Sequence, residues 1–222
     1  MITFVGPVSQ DSPIYLKKEL SSIKGLLIAL DGGATLLHQL GIIPDLWFGD
    51  MDSADQATLQ ALACQKVKIF RYPTEKESSD FELALQYLLN QNISFHKLNL
   101  YGMLGGRMDH MLFNLELIKG IASQIDILCF CSSSLDVFLL SPKHVLSIQT
   151  RAGQLISLMP FIEEVKLERT AGLKYPLKNE VLKTFSSRGL SNVCTTSEVT
   201  IEIQTGTLLI FHYKEGFDEN FS

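Results

Sequence analysis

Over the first 131 or so of its 222 residues, the chain alternates short apolar runs with amphipathic stretches. Residues 2–5, 26–30, 46–48, 67–70, 98–101 and 125–130 have the length and composition of buried strands. Between them, residues 34–40, 55–64, 80–89 and 111–121 repeat apolar side chains at spacings of three and four, as amphipathic helices do. Strand alternating with helix predicts a parallel sheet with helices on both faces. Ser79 and Asp80 stand where a helix N-cap belongs, and Asp109 stands likewise before the helix that carries Asn114. Beyond about residue 135 helical spacing nearly vanishes. Residues 137–140, 145–148, 155–159, 165–168, 199–203 and 207–213 read as strands separated by Gly, Pro, Ser and Asn. The expected fold class is therefore α/β: an N-terminal mostly parallel sheet flanked by helices over residues 1–133, followed by a C-terminal antiparallel β-sandwich over residues 134–222. The polar stretch from Glu215 to Ser222 is expected to fray.

Composition narrows the picture only modestly. A hydrophobic fraction of 46% and a charged fraction of 19% describe an ordinary folded protein. The net charge of -5 argues against broad nucleic-acid binding, which needs a basic face. No apolar run reaches membrane-spanning length and the N-terminus lacks the pattern of a signal peptide, so a soluble cytoplasmic protein is expected. The four cysteines, Cys64, Cys129, Cys131 and Cys194, form no C-x-x-C pair and read as buried reduced thiols, with Cys129 and Cys131 on one face of a strand.

The chemistry lies in short acidic or glycine-rich patches, each just after an apolar run. In an open α/β sheet that places them at the carboxyl edge, where ligands bind. Asp31-Gly32-Gly33 lets backbone approach a ligand closely. Asp50 and Asp52 flank Met51 and would project to one side of an extended segment, able to grip one hard cation; a solvated loop or a cap around Asp52 and Ser53 is the plainer reading. Lys76 precedes Asp80 by four residues in a polar loop, a lysine for phosphate and an aspartate for metal. Gly102, Gly105, Gly106, Arg107 and Asp109 follow the next strand, and the planar fork of Arg107 suits phosphate oxygens. Asp109 could cap its helix or accept a substrate proton, and His110 reads as a helix-start residue. Together the patches point to a polyphosphate held through a divalent metal. Neither a G-x-G-x-x-G nor a G-x-x-x-x-G-K-[ST] motif is present.

In these motifs, and in Gly172-Leu173-Lys174-Tyr175-Pro176-Leu177 and Gly189-Leu190-Ser191-Asn192, the chain resembles thiamine pyrophosphokinases over nearly its whole length. The resemblance implies transfer of the diphosphate of ATP to the hydroxyl of thiamine, with release of AMP. It implies Mg²⁺ on Asp50, Asp52 and Asp80, and phosphate contacts from Lys76, Arg107 and the glycines Gly32, Gly33, Gly105 and Gly106 beside Asp31. Asp80 or Asp109 would accept the hydroxyl proton, and Tyr175, Ser191 and Asn192 would contact the vitamin. Some members carry Trp where this chain has Tyr175, a smaller stacking surface. A homodimer with active sites shared between subunits is a further implication. Other readings of the residues alone are a pyrophosphokinase for another hydroxymethyl heterocycle such as a pterin, a phosphohydrolase with Asp50 as nucleophile and Asp52 as acid, and a nucleotide-sensing module without catalysis.

Overall fold

The computed structural model describes residues 1–7, 10–52, 54, 56–93 and 95–216. Ser53, the helix start expected at Asp55 and the terminal residues 217–222 lie outside the described residues. The chain divides into two compact units, Met1–Gly120 and Ile121–Ser222.

In the first unit, β1 (Ile2–Val5), β2 (Leu26–Leu30), β3 (Leu46–Gly49), β4 (Lys68–Arg71) and β5 (Lys97–Tyr101) alternate with α1 (Pro13–Ser21), α2 (Gly33–Gln39), α3 (Gln56–Cys64), α4 (Asp80–Asn90) and α5 (Met108–Ile121). The strands pair in parallel in the order β5-β1-β2-β3-β4. Right-handed crossovers put α1, α2 and α3 on one face and α4 on the other. β1 and β3 are buried throughout, which is why they read as unbroken apolar runs rather than alternating ones. β4, at the edge, keeps charged Lys68 and Arg71 exposed at its ends, where they discourage pairing with another chain. Aromatic rings fill the space under α4. Phe4 meets Phe81 edge-on at 5.2 Å, and Phe48 lies 4.4 Å from Phe70 and 5.6 Å from Tyr87.

Two findings differ from the sequence reading. α1 was not expected; Ser12 caps it, accepting from the Tyr15 backbone N–H at 3.2 Å, and Pro13 opens it. α5 begins at Met108, so Asp109 lies inside the first helical turn and is not its N-cap.

In the second unit, β6 (Ile127–Cys131), β7 (Leu135–Leu140), β14 (Leu208–Gly216), β9 (Gln154–Pro160) and the short β12 (Asn192–Val193) form one antiparallel sheet. β8 (Val145–Gln149), β13 (Glu198–Thr205), β10 (Val165–Ala171) and the short β11 (Val181–Leu182) form another. The run expected as a strand at 125–130 thus goes with this unit, as one arm of a hairpin whose turn is braced by Ser132, its hydroxyl donating to the Leu135 carbonyl at 2.7 Å. Inward residues of both sheets, among them Leu140, Ile148, Ile156, Leu158, Leu167, Val199, Ile201 and Ile210, make a single apolar core, as in a sandwich. Among the described residues no helix is long and apolar enough to cross a membrane.

Candidate active site

The strand order reverses between β1 and β5, and that switch point opens a crevice at the carboxyl ends of the strands. A cavity of about 300 Å³ lies there, lined by Gly6 and Pro7 after β1, Asp31 after β2, and Gly102, Met103 and Gly105 after β5. Lys76, Ser79, Asp80 and Phe81 line it from the start of α4, and Arg107, His110, Met111 and Asn114 from around the start of α5. Backbone crowding at its floor requires glycine: a Cβ at Gly6 would stand 2.7 Å from the Gly102 carbonyl oxygen, and one at Gly33 only 2.0 Å from that of Val5. Gly102, Gly105 and Gly106 all take the left-handed backbone (φ 64°, 90° and 66°).

Asp31 ends β2 in the left-handed region itself, with φ 47°. Its N–H donates to the Phe48 carbonyl at 2.7 Å and its own carbonyl accepts from the Trp47 indole at 3.0 Å. Met51 is also left-handed (φ 69°) with its side chain buried, and the Asp52 N–H donates to Asp50 Oδ1 at 3.1 Å. The segment is thus a turn where an extended stretch was expected, yet Asp50 and Asp52 still converge. A carboxylate oxygen from each of Asp31, Asp50 and Asp52 lies within 4.8 Å of the others. The Asp52 N–H, opposed by partial burial and aided by Asp52, Thr74 and Lys76, holds the Asp50 carboxyl below its usual range.

Asp80 stands beside this trio instead of within it. Ser79 caps α4, accepting from the Glu82 N–H at 3.2 Å, and so places Asp80 in the first turn, where Lys76 Nζ lies 3.0 Å from its carboxylate. Burial pushes the Asp80 carboxyl up; Lys76 opposes that, while Asp31 and Asp50 add to it. Arg107 and Asp109 form a two-pronged pair, Nε to Oδ1 at 3.1 Å and a terminal guanidinium nitrogen to Oδ2 at 2.5 Å. That pairing, with partial support from the His110 N–H, lowers Asp109 to about 2 and raises Arg107.

The glycine segments of the second unit are built around exposed Tyr175. Gly172 is left-handed (φ 81°), and a Cβ there would fall 2.3 Å from the Glu198 carbonyl oxygen. Leu173 and Leu177 turn into the core while Tyr175 is 54% exposed, which excludes the plain alternative of a core aromatic. Asn192 is buried, and its amide is committed to backbone: Oδ1 accepts from the Tyr175 N–H at 3.0 Å and the Val193 N–H at 2.9 Å, and Nδ2 donates to the Tyr175 carbonyl at 2.7 Å. Asn192 thus holds the Tyr175 backbone in place. Ser191 is exposed and left-handed (φ 55°), its N–H donating to Ser157 Oγ at 3.0 Å.

Sequence reasoning missed Gly6 and Trp47. Gly6 follows β1 as the other patches follow their strands, so the same rule would have found it; the lone Trp, two residues before Gly49-Asp50, was the signal for the second.

A family model described as thiamin pyrophosphokinase, catalytic domain, matches residues 17–129, and one described as thiamin pyrophosphokinase, vitamin B1 binding domain, matches residues 143–208. Thiamine pyrophosphokinase of Bacillus subtilis (strain 168) is 29% identical over 186 residues, 83% of this chain and 86% of that protein. Thiamine pyrophosphokinase 1 of Arabidopsis thaliana is 24% identical over 177 residues, 78% of this chain and 66% of that one. Among solved structures, thiamine pyrophosphokinase from Bacillus subtilis superposes with a TM-score of 0.78 at 25% identity, covering 96% of this chain and 99% of that chain. The yeast thiamin pyrophosphokinase structure shares the fold, with a TM-score of 0.68 at 18% identity over 96% and 86% of the two chains. With matches to both units in order, and one family model alone spanning half of the sequence, the chain belongs to the thiamin pyrophosphokinase family.

Proposed function

We propose that this protein transfers the diphosphate of ATP to the hydroxyl of thiamine, giving thiamine diphosphate and AMP. The observation that carries the reading is the convergence of Asp31, Asp50 and Asp52 at the sheet's carboxyl edge, in the same unit as the Lys76–Asp80 and Arg107–Asp109 pairs. Three carboxylate oxygens are hard donors of the kind Mg²⁺ takes, so the residues fit that ion, and Asp31, Asp50 and Asp52 would hold it. Bound there, Mg²⁺ would supply charge neutralisation across the phosphate oxygens.

In the transfer, the thiamine oxygen bonds to the β-phosphorus and the bond from that phosphorus to the α,β-bridging oxygen breaks, with AMP leaving. Negative charge grows on the phosphoryl and leaving oxygens, and Lys76 and Arg107 are the cations to meet it. Gly32, Gly33, Gly105 and Gly106 let backbone approach the phosphates closely. Asp80 takes the hydroxyl proton: burial favours its protonated form, whereas Asp109 is held ionised by Arg107. Tyr175 offers its exposed ring to the vitamin's electron-poor rings, Ser191 a nearby hydroxyl, and Asn192 positions Tyr175. The active form is a homodimer whose sites are shared between subunits, in keeping with the exposed apolar residues Met108, Leu112 and Phe113 on α5.

The test is AMP release from ATP and Mg²⁺ with and without thiamine, the acceptor followed by mass. Thiamine-dependent AMP with a diphosphate-sized mass gain is expected. Phosphate without AMP would instead mark a phosphohydrolase, and turnover with a pterin but not thiamine a different acceptor. Asp50→Asn should fold and be inactive; wild-type turnover in it would remove the metal assignment.

A further inference from the structure

The apolar core of the second unit gives way, toward the Ser132–Ser134 turn, to a polar cluster that the transfer reaction does not use. Cys129 lies opposite Phe138 across the β6–β7 pair, and Cys131, two residues on, is on the same side of its strand. Asp136 of β7 lies opposite His212 of β14. The sulfurs of Cys129 and Cys131 and a carboxylate oxygen of Asp136 lie within 4.8 Å of one another. A tetrahedral ion with metal–sulfur bonds of about 2.3 Å has sulfur–sulfur edges of about 3.8 Å, so closing the set takes a shift of about 1 Å or less.

Charge favours the same reading. Lys214 Nζ lies 2.8 Å from Asp136 and donates to the Ser132 carbonyl at 2.6 Å. Two thiolates and one carboxylate, offset by this lysine, carry the charge that one divalent cation cancels.

A second observation is a buried acceptor next to the cluster. The Gln154 amide is oriented by backbone: Oε1 accepts from the Arg151 N–H at 2.7 Å and Nε2 donates to the Lys214 carbonyl. Oε1 also faces His212 Nε2 at 3.0 Å, so that nitrogen must carry the proton and Nδ1 is left as a bare acceptor. His212 is only 2% exposed, and among the described residues its Nδ1 has no hydrogen-bond partner. It lines, together with Asp136 and Lys214, a cleft of about 480 Å³. What a buried acceptor beside Asp136 lacks is a donor, and a metal-bound water supplies one.

We propose that Cys129, Cys131 and Asp136 bind a thiophilic divalent cation of the zinc class, which ties β6 to β7 at their shared turn. The sulfur donors separate this site chemically from the all-oxygen set of Asp31, Asp50 and Asp52, which suits a hard ion.

The experiment titrates Cd²⁺, as a spectroscopic probe, and then Zn²⁺ into metal-free full-length protein. One equivalent of Cd²⁺ should produce a sulfur-to-metal charge-transfer band that excess Mg²⁺ leaves intact, and Zn²⁺ should raise Tm. Cys129→Ser/Cys131→Ser should abolish both effects. Since Cys129 is buried and that variant could misfold, Cys131→Ser at the half-buried position is the second arm. It should fold, lose part of the band and bind about tenfold more weakly or worse. Cys64→Ser, at an exposed cysteine, should change nothing. Absence of the band in wild type, its full persistence in Cys131→Ser, or its loss in Cys64→Ser would overturn the site, whatever the outcome of the AMP assay.

Discussion

At the residue scale, the convergence of Asp31, Asp50 and Asp52 depends on a backbone conformation that an aspartate does not choose for itself. A left-handed non-glycine residue costs about 1–2 kcal/mol, and Asp31 and Met51 both adopt it at the carboxyl edge of the sheet. The Trp47 indole contributes to holding Asp31 there, sixteen residues away in sequence. Trp47→Phe keeps an aromatic side chain but removes that donor and part of a fully buried ring system. It should cost about 1–3 kcal/mol in stability for the lost bond and raise the Mg²⁺ concentration needed for half-maximal turnover several-fold, with little change in KM for thiamine. An unchanged Mg²⁺ dependence would rule out the clamp. The carboxylates also differ in their protonation. Asp80, lifted by burial, is protonated as pH falls through its raised value, above the ordinary 3.8, and activity should be lost there; Asp109, held at about 2, stays ionised. The acid limb of kcat/KM should therefore stay in place in Asp109→Asn. A limb that moves in that variant would hand the proton-accepting role to Asp109.

At the scale of elements, close approach between α2 and β1 is set by Gly33, where a Cβ would meet the Val5 carbonyl oxygen at 2.0 Å. Because backbone cannot step aside as a side chain does, Gly33→Ala should lower stability by about 1–3 kcal/mol, read as a drop in the urea midpoint. β1, β2 and β3 were legible in the sequence because burial makes them continuous apolar runs, and β8, β10 and β13 because they alternate buried and exposed positions. α1 was not legible: it buries only Leu16 and Leu20 and leaves Ile14 84% exposed, too little stripe for periodicity to register. The two-residue strands β11 and β12 are shorter than any period. Among site residues, those at strand ends could be read directly, whereas the hydrogen bonds of Trp47 to Asp31 and of Asn192 to Tyr175, spanning 16 and 17 residues, were not. His212 on β14 carries the clearest pH signature of an element. Burial, with Lys214 adding, lowers it from 6.5 to about 4, so between those values the unfolded chain takes a proton that the folded one refuses. Stability of chelator-treated protein should then fall as pH drops from 6.5 to 4, by on the order of 3 kcal/mol from this group, and level off below. His212→Phe should flatten the slope measured by urea melts across that range; an unaltered slope would assign it elsewhere.

At the scale of the whole molecule, the reaction proposed above draws its phosphate-side residues from the first unit and its Tyr175 segment from the second. α5 buries Ile118 and Ile121 but exposes Met108, Leu112 and Phe113, an apolar stripe at the end of the helix that carries Asp109. In the homodimer proposed above each site would take its second unit from the partner, and symmetry would make two such sites per dimer. Co-expression of two single variants separates shared sites from self-contained ones. Asp50→Asn spoils the first unit and Tyr175→Ala the second, each alone leaving little activity. If each site takes its two halves from different subunits, a mixed dimer holds one site with both halves altered and one with neither. Random pairing should then restore about a quarter of wild-type turnover. If each chain completes its own site, every site carries one lesion and the mixture stays as inactive as its parts.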